Sequence, residues 1–405
     1  MIKINISAIV AEYNPLHLGH KYQISETIKE AEAEGLIAVM SGNFTQRGNP
    51  SLIDKWNRTK MALNAGIDLV IELPCVYSLS SAEFFSFGAV SLINGLNVVD
   101  HLSFGSECGD IEIITQIANI IATEPEEYKI LLKKYLKEGL SFPLSRSKAL
   151  ITYMNSKDIF IKDILNSSNN ILAFEYCRAL NKLKSSIKPL TIKRIGEDYN
   201  SDKISQGFLS ATGIRNYIRS NTDITKLEKL LPEYSYKLIK DLSDNSYDFV
   251  FERDIYPFLK YKILTDFNNI NKLPDIREGL ENRIYESLLK SSSYEELINT
   301  IKNKRYTYTR ISRILCQFFI GFENHDIKNL RTAPCPYGRI LGFNDKGRRI
   351  LKEIKKNSNI PLITKVKECH SEVMDIELQS TKAYSLLNKN VGPIEDYIRK
   401  PIYWK

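Results

Sequence analysis

Two histidines three residues apart, His17 and His20, follow an apolar run and a break at Asn14-Pro15. The stretch Ala8–His20 reads as a buried strand, a tight turn and two imidazoles on one face of a first helical turn. Helix N-termini present unpaired N–H groups and a partial positive charge, so anions collect there, and a nucleotide phosphate is the first ligand to expect. Imidazole N–H donors held at that point would stabilise the charge gathering on an α-phosphate as pyrophosphate is displaced. No covalent nucleophile is needed. Gly19 between them is expected to leave space for the ligand to approach the backbone. Two histidines that merely cap a turn would show the same spacing.

Three further segments carry phosphate-binding or RNA-binding residue types. Ser41-Gly-Asn-Phe-Thr-Gln-Arg-Gly48, with Arg47, Lys55 and Arg58, suits a triphosphate or pyrophosphate held by arginine forks and backbone amides, or else a plain surface loop. Ser210-Ala-Thr-Gly-Ile-Arg215 puts hydroxyls, a glycine and an arginine at a helix start, where an ordinary N-cap is the competing reading. Lys304 to Arg313 interleaves basic and aromatic side chains. Lys304, Arg305, Arg310 and Arg313 are candidates for RNA phosphates, and Tyr306 or Tyr308 for stacking on an unpaired base. The same tyrosines would serve equally to pack a core beneath a solvated face. Walker A, Ser-His-Asp, H-E-x-x-H and EF-hand patterns are absent.

The elements that must position these residues alternate regularly. Strands are expected at Ile4–Val10, Leu36–Met40, Asp68–Leu73 and Val98–Phe104. Helices are expected between them at Lys21–Glu34, Asp54–Asn64 (Asp54 as N-cap) and Ser81–Leu96. Short apolar strands separated by helices indicate βαβ units and a buried parallel sheet, whose ligands bind at the strands' carboxyl ends. Asn14-Pro15, Ser41-Gly42-Asn43 and Gly105-Ser106-Glu107 all fall there. Ile111 to Leu183 is mostly helical, and Pro189–Arg194 reads as one more strand. Beyond about residue 221 the pattern is helical again, at Leu227–Leu242, Ile255–Phe267, Leu280–Leu289, Tyr294–Lys302 and Thr309–Phe319. The expected fold class is α/β. A Rossmann-like nucleotide-binding domain over residues 1–220, with a parallel sheet, precedes a mainly helical, basic domain over 221–405.

Composition sets the outer bounds. The 405 residues are 43% hydrophobic and 26% charged, as in ordinary globular chains, with no run near the ~20 apolar residues of a membrane span. The six cysteines are scattered without a C-x-x-C pair and suggest neither a disulfide framework nor a zinc site, so a cytoplasmic protein is expected. The net charge of +8 is concentrated. Residues 301–350 hold 11 lysines and arginines against 3 acids, whereas the first 200 residues hold 21 against 22. Localised positive charge is the footprint of a polyanion-binding face, or of a solvated helix. Neither a membrane nor DNA is expected as a partner.

The residues also resemble a known family. Ala11-Glu-Tyr-Asn-Pro-Leu-His-Leu-Gly-His20, Met40-Ser-Gly-Asn-Phe44, Gln46-Arg-Gly48, Lys55-Trp56, Arg58-Thr-Lys-Met-Ala-Leu63 and Asp68-Leu-Val-Ile-Glu-Leu-Pro74 are similar to the bacterial tRNA(Met) cytidine acetate ligases. That family lies within the H-x-G-H nucleotidyltransferase superfamily. Phe104-Gly-Ser-Glu107, Asn169-Asn-Ile-Leu172 and Lys304-Arg-Tyr-Thr307 extend the likeness along almost the whole chain; Leu16 stands where Phe is usual. The resemblance implies that acetate attacks ATP to give acetyl-adenylate and pyrophosphate, with Mg²⁺. The wobble cytidine of elongator tRNA(Met) then takes the acetyl group on N4. It implies catalytic roles for His17 and His20. The implied ATP-binding segment comprises Val10, Ala11, Glu12, Tyr13, Asn14, Pro15, Leu16, His17, Leu18, Gly19, His20, Lys21, Tyr22 and Gln23. Gly105, Asn169, Arg194 and Ile195 match further nucleotide-contacting positions. From the residues alone, two other readings stay open: an adenylyltransferase acting on a small metabolite, which leaves the basic stretch unused, and a non-catalytic RNA-binding protein.

Overall fold

The structure is a computed structural model that describes residues 4–405 apart from 141, 158, 160–163, 196–208, 222, 278 and 304. The first half follows the alternation of the sequence. Strand β1 (Ile6–Ala11) leads to helix α1 (Leu18–Glu30), β2 (Gly35–Ser41) to α2 (Lys55–Asn64), and β3 (Leu69–Leu73) to α3 (Cys75–Ser78) and α4 (Ala82–Leu96). Strand β4 (His101–Ser106) is followed by α5 (Ile111–Thr123), α6 (Glu126–Lys137), α7 (Phe142–Asn155) and α8 (Ser168–Lys182), then β5 (Lys188–Lys193) and α9 (Ala211–Ser220). Every residue of β2 and β3 is buried, as expected of central strands covered on both faces.

Strands β1 to β5 are parallel in the order β5-β4-β1-β2-β3. The chain winds one way from β1 to β2 and β3, and the other way to β4 and β5. The crevice outside the carboxyl ends of β1 and β4 is therefore the topological switch point, where open α/β sheets bind ligands.

The second half is helical at first, with α10 (Glu233–Asp244), α11 (Tyr256–Asp266), α12 (Leu280–Lys290), α13 (Tyr294–Ile301), α14 (Tyr308–Ile320) and α15 (Ile327–Leu330). It then departs from expectation by rejoining the sheet. Strand β6 (Gly338–Phe343) pairs antiparallel with β3 and carries β7 (Leu362–Ile363) and β8 (Ile402–Tyr403) on its far side, so the sheet is mixed rather than wholly parallel. Between them lie α16 (Asp345–Asn357), α17 (Glu372–Ser385) and α18 (Glu395–Ile398). The expected division at 220/221 does not separate two cores. One buried apolar cluster runs from Ile37, Ile71 and Phe85 to Ile263, Leu297, Phe318 and Met374. A second, on the other face of the sheet, joins Ile9, Trp56 and Ile214 to Tyr236 and Leu341.

A buried ionic cluster binds this return. Lys55 of α2, wholly buried, lies 2.7 Å from Glu72 of β3, 3.1 Å from Glu377 of α17 and 3.0 Å from Asp396 of α18. Arg339 of β6 pairs with Glu72 and Asp396, each at 2.9 Å. Three carboxyls face two cations. Burial, with Glu72 alongside, pushes the Glu377 carboxyl up to about 8, so it holds its proton at neutral pH and the cluster balances. Burial opposes the charge of Asp396, but Lys55 and Arg339 overcome it and hold that carboxyl well below the usual range.

Removing one partner of a buried pair leaves an uncompensated charge, so Lys55→Met should cost about 3–5 kcal/mol in urea unfolding. Glu377 is raised in the fold above its unfolded value of 4.5, so its contribution is full below that value and is lost as pH rises through about 8. Glu377→Gln should remove that falling component from the stability profile measured between pH 5 and 9.

Candidate active site

The turn after β1 sets both histidines. Tyr13 takes a left-handed φ of 47° in this turn, and its ring meets that of His20 in a T-shaped pair with centroids 5.1 Å apart. His17 is the N-cap of α1: its Nδ1 accepts the N–H of Gly19 at 3.1 Å, while its own N–H donates to Nδ1 of His20 at 3.2 Å. The rings stack with centroids 3.7 Å apart. An Nδ1 that accepts a hydrogen bond carries no proton, so in each neutral ring the proton sits on Nε2. Desolvation, then the charges of Arg194 and Arg215, lower His17 to about 3. Desolvation, then His17 and Arg194, holds His20 well below the ordinary imidazole value. Both are therefore neutral Nε2–H donors at physiological pH.

They open into a cleft of about 600 Å³ at the switch point. The ends of β1 and β4 line it, together with the 45–49 loop, the starts of α4, α8 and α9, and the first turns of α14. Four arginines, Arg47, Arg194, Arg215 and Arg313, reach it from four different segments. Arg215 donates to the carbonyl of Asn14 at 2.9 Å, and Ser210 caps α9 by accepting the N–H of Gly213 at 3.2 Å. Asn169 is set by Glu107, whose carboxylate accepts its side-chain amide at 2.6 Å and the N–H of Asn170 at 2.9 Å. A Cβ on Gly105 would lie 3.4 Å from Cγ of Arg194, so those two positions are in contact. Donors, a helix N-terminus and arginine charge in one crevice suit a nucleotide polyphosphate.

The structure brings most of the expected residues together. Val10, Ala11, Glu12, Tyr13, Asn14, His17, His20, Gln23, Gly105, Asn169 and Arg194 line the cleft. Pro15, Leu16, Leu18, Gly19, Lys21 and Tyr22 do not line it; Leu16 is fully buried in the core, and Ile195 is 54% exposed. Gly19 needs correction. A Cβ there would come within 2.9 Å of the His17 ring, so the missing side chain makes room for the histidine and not for the ligand. Lys55 and Arg58 are also reassigned. Lys55 belongs to the ionic cluster, and Arg58 is wholly buried, donating to the carbonyls of Glu12, Ser41, Gly42 and Ile53.

The basic–aromatic segment divides. Lys304 lies outside the described residues, and Arg305 is exposed. Tyr306 is buried and donates to the carbonyl of Arg277 at 3.0 Å, with Arg310 over its ring at 4.7 Å, so it packs rather than stacking on a base. Arg313 turns into the cleft and donates to the carbonyl of Gln46 at 3.3 Å; desolvation lowers it to about 10. The basic excess of 301–350 is not one face either. Arg331 pairs with Asp275 at 2.9 Å and Arg339 is in the cluster, while Lys346, Arg348 and Arg349 are exposed on α16. That helix starts beside Leu69, at the sheet end opposite the cleft. Thr309 and Arg313 were not legible as cleft residues, because only the packing of α14 on the 45–49 loop brings them there. The one signal at Arg313 was its place in the basic–aromatic segment, which pointed to RNA phosphates and not to this cleft.

Sequence and structural comparisons place the whole chain among known proteins. The family described as HIGH Nucleotidyl Transferase matches residues 4–396, which makes the chain a member of that class. Within it, the chain belongs to the tRNA(Met) cytidine acetate ligase family. The relative of that name in Clostridium kluyveri is 53% identical over 403 residues, spanning 98% of this chain and 99% of the relative. The one in Clostridium novyi is 50% identical over 402 residues, spanning 99% and 100%. The crystal structure of apo Thermotoga maritima TmcAL superposes with a TM-score of 0.92 at 32% identity, over 99% of both chains. The form bound with alpha-thio ATP gives 0.90 at 33%, again over 99% of both.

A histidine with a lowered pKa is neutral above it, so the His17 ring signals should stay flat in an NMR titration from pH 8 to pH 5, where an ordinary imidazole titrates. The matching stability term is present above about pH 6.5 and is lost as pH falls toward 3. Gly19→Ala should displace the His17 ring and restore a titration near 6.5.

Proposed function

We propose that this chain is an ATP-dependent ligase that activates acetate as acetyl-adenylate and acetylates N4 of the wobble cytidine of elongator tRNA(Met). The observation that carries the reading is the pair of neutral, Nε2-protonated histidines at the switch point of a chain about half identical to named tRNA(Met) cytidine acetate ligases. An acetate oxygen attacks the α-phosphorus and the bond to the bridging oxygen breaks, releasing pyrophosphate. The charge that gathers on the α-phosphoryl oxygens is met by fixed N–H donors, which need no reorganisation as the reaction proceeds. Arginine forks from Arg47, Arg194 and Arg215 suit the phosphates, and Gly105, Asn169 and Ile195 the rest of the nucleotide. The second step forms the N4–acyl bond, breaks the acyl–phosphate bond and releases AMP.

Mg²⁺ enters this reading with ATP. Among the described residues no group of three or more His, Cys, Asp and Glu side chains converges on a metal position, so the ion belongs to the phosphates and no protein step is routed through it. Residues 1–220 supply most of the nucleotide site and 221–405 the larger part of the tRNA surface, with Arg305 and Arg310 meeting RNA phosphates; Lys304, the third basic candidate of that segment, lies outside the described residues. Arg313, inside the cleft, is shared between the two tasks. The place of work is the cytoplasm, where tRNA is found; no described helix is long and apolar enough to cross a membrane.

The test is mass spectrometry of nucleosides from tRNA(Met) incubated with the protein, ATP and acetate. N4-acetylcytidine that depends on both is the expected product, and its absence with folded protein overturns the reading. His20→Ala should lower acetate-dependent ATP–pyrophosphate exchange about 10²–10³-fold with little change in tRNA affinity. Replacing Arg305 and Arg310 should weaken tRNA binding and reduce its salt slope by about one for each phosphate no longer neutralised.

A further inference from the structure

Glu12 is the one carboxylate among the described residues that line the cleft, where it stands with four arginines and two neutral histidines. Such a group is out of place for the first half-reaction. Triphosphate and acetate are both anions, and an ionised carboxylate beside them raises the free energy of binding either. Its structural task does not need the charge. One oxygen accepts the N–H of Gln46 at 2.8 Å, which a neutral amide oxygen would do as well. That bond fixes the side chain's direction. The main chain is fixed too, through the Glu12 carbonyl, which accepts from Arg58 at 2.7 Å.

The surroundings of Glu12 suit a base rather than a phosphate. Its charge is felt by the hydroxyl of Tyr176, a buried residue whose phenol is raised first by desolvation and then by Glu12. The Tyr176 ring lies 5.5 Å from that of Phe104, tilted by 35°, and Phe85 lines the same wall. All three rings belong to the buried core and close the cleft there as an apolar wall, against which the edge of an unpaired nucleobase can pack without meeting another charge. A cytosine edge offers an N4–H₂ donor, the group that Glu and Asp carboxylates accept in base readout. A uracil offers an acceptor, O4, in the same place and would face the carboxylate with no hydrogen to share.

We propose that Glu12 receives the N4 amine of the acceptor cytidine, distinguishes it from uridine and takes its proton during acetyl transfer. The inference rests on the acetate ligase reading. As N4 attacks the acetyl carbonyl, the N–C bond forms, the acyl–oxygen bond to phosphate breaks and AMP leaves. One of the two N4 protons passes to the free Glu12 oxygen, and from there to solvent. General-base help of this kind contributes typically about 10²–10⁴-fold.

The test is a single-turnover assay of the full chain with ATP, acetate and a tRNA(Met) transcript, following acetyl-adenylate and N4-acetylcytidine separately. Glu12→Gln, which retains an oxygen for the Gln46 N–H, should slow acetyl transfer at least about 10²-fold more than it slows acetyl-adenylate formation by the same variant. Glu12→Asp should recover part of the transfer rate. A transcript with uridine at the wobble position should compete more strongly against the Gln variant than against the native chain. Transfer by Glu12→Gln at the native rate overturns the proposal and leaves the adenylate's own phosphate as the base. An equal loss of adenylate and transfer overturns it in favour of a purely structural residue. If the native chain itself makes no N4-acetylcytidine, the ligase reading fails first, and Glu12→Gln then has no transfer to lose.

Discussion

The balance of charge inside the Lys55 cluster is the constraint on which the rest of the molecule depends. Glu72, Glu377 and Asp396 come from three separate elements and meet Lys55 and Arg339, all within a few per cent of full burial. Such a cluster is weak evidence for stability, because desolvation consumes most of what Coulomb attraction returns. Its effect is on register. A shift of β6 by one residue along β3 would turn Arg339 away from Glu72 and leave both charges unpaired in the core. The bonds around it carry that register to the cleft. Lys55 donates its N–H to Asn43, and Arg58, one turn further along α2, holds the carbonyls of Gly42 and Glu12. The loop that bears Gln46 and Arg47 is thereby tied to residues more than 300 positions away.

Desolvation acts in two directions at once in this protein. Around Glu377 it favours the neutral carboxyl and lets three acids share two cations. Around His17 and His20 it favours the neutral imidazole. A charged histidine would attract phosphate more strongly, but its charge would already be neutralised by the ground state. A neutral N–H aimed at the reacting oxygen acts most where charge develops, which is the useful kind of binding for catalysis. The long-range attraction for the anion is left to the arginines, whose charge resists desolvation: even Arg313 is lowered only to about 10.

What was legible in the sequence follows from what each signal measures. The first four strands could be read because each is an apolar run set off from its neighbours by helices, and such a run has one physical use, a sheet buried on both faces. Strand β6 could not. Gly338-Arg-Ile-Leu-Gly-Phe343 carries an arginine that reads as a surface residue until its partner Glu72 is known, and β7 and β8 are two residues each. The histidines and Gly105 could be read because they follow apolar strands at the ends where such sheets bind ligands, whereas Asn169, in the first turn of α8, and Arg194 were singled out only by the family resemblance. Arg313 and Thr309 join them through tertiary packing alone. Charge counting misled for the same reason: it weighs Arg331 and Arg339, which are paired and buried, equally with Arg349, which is exposed.

The same packing bears on how two half-reactions share one crevice. Gln46 is held from both sides, its N–H by Glu12 just past β1 and its carbonyl by Arg313 on α14, while Ser312 donates to the carbonyl of Gly48. A Cβ on Gly48 would lie 2.3 Å from the backbone nitrogen of Arg313, so loop and helix approach as closely as two backbones can. Glu12, the 45–49 loop and α14 are thus one hydrogen-bonded unit. A group that displaces Arg313 from Gln46 also disturbs what holds the Glu12 carboxylate, and the coupling is reciprocal. A partition into an ATP domain and an RNA domain describes where the chain begins each task. It does not describe the cleft, which residues 1–220 build almost entirely and which Thr309 and Arg313 of α14 complete.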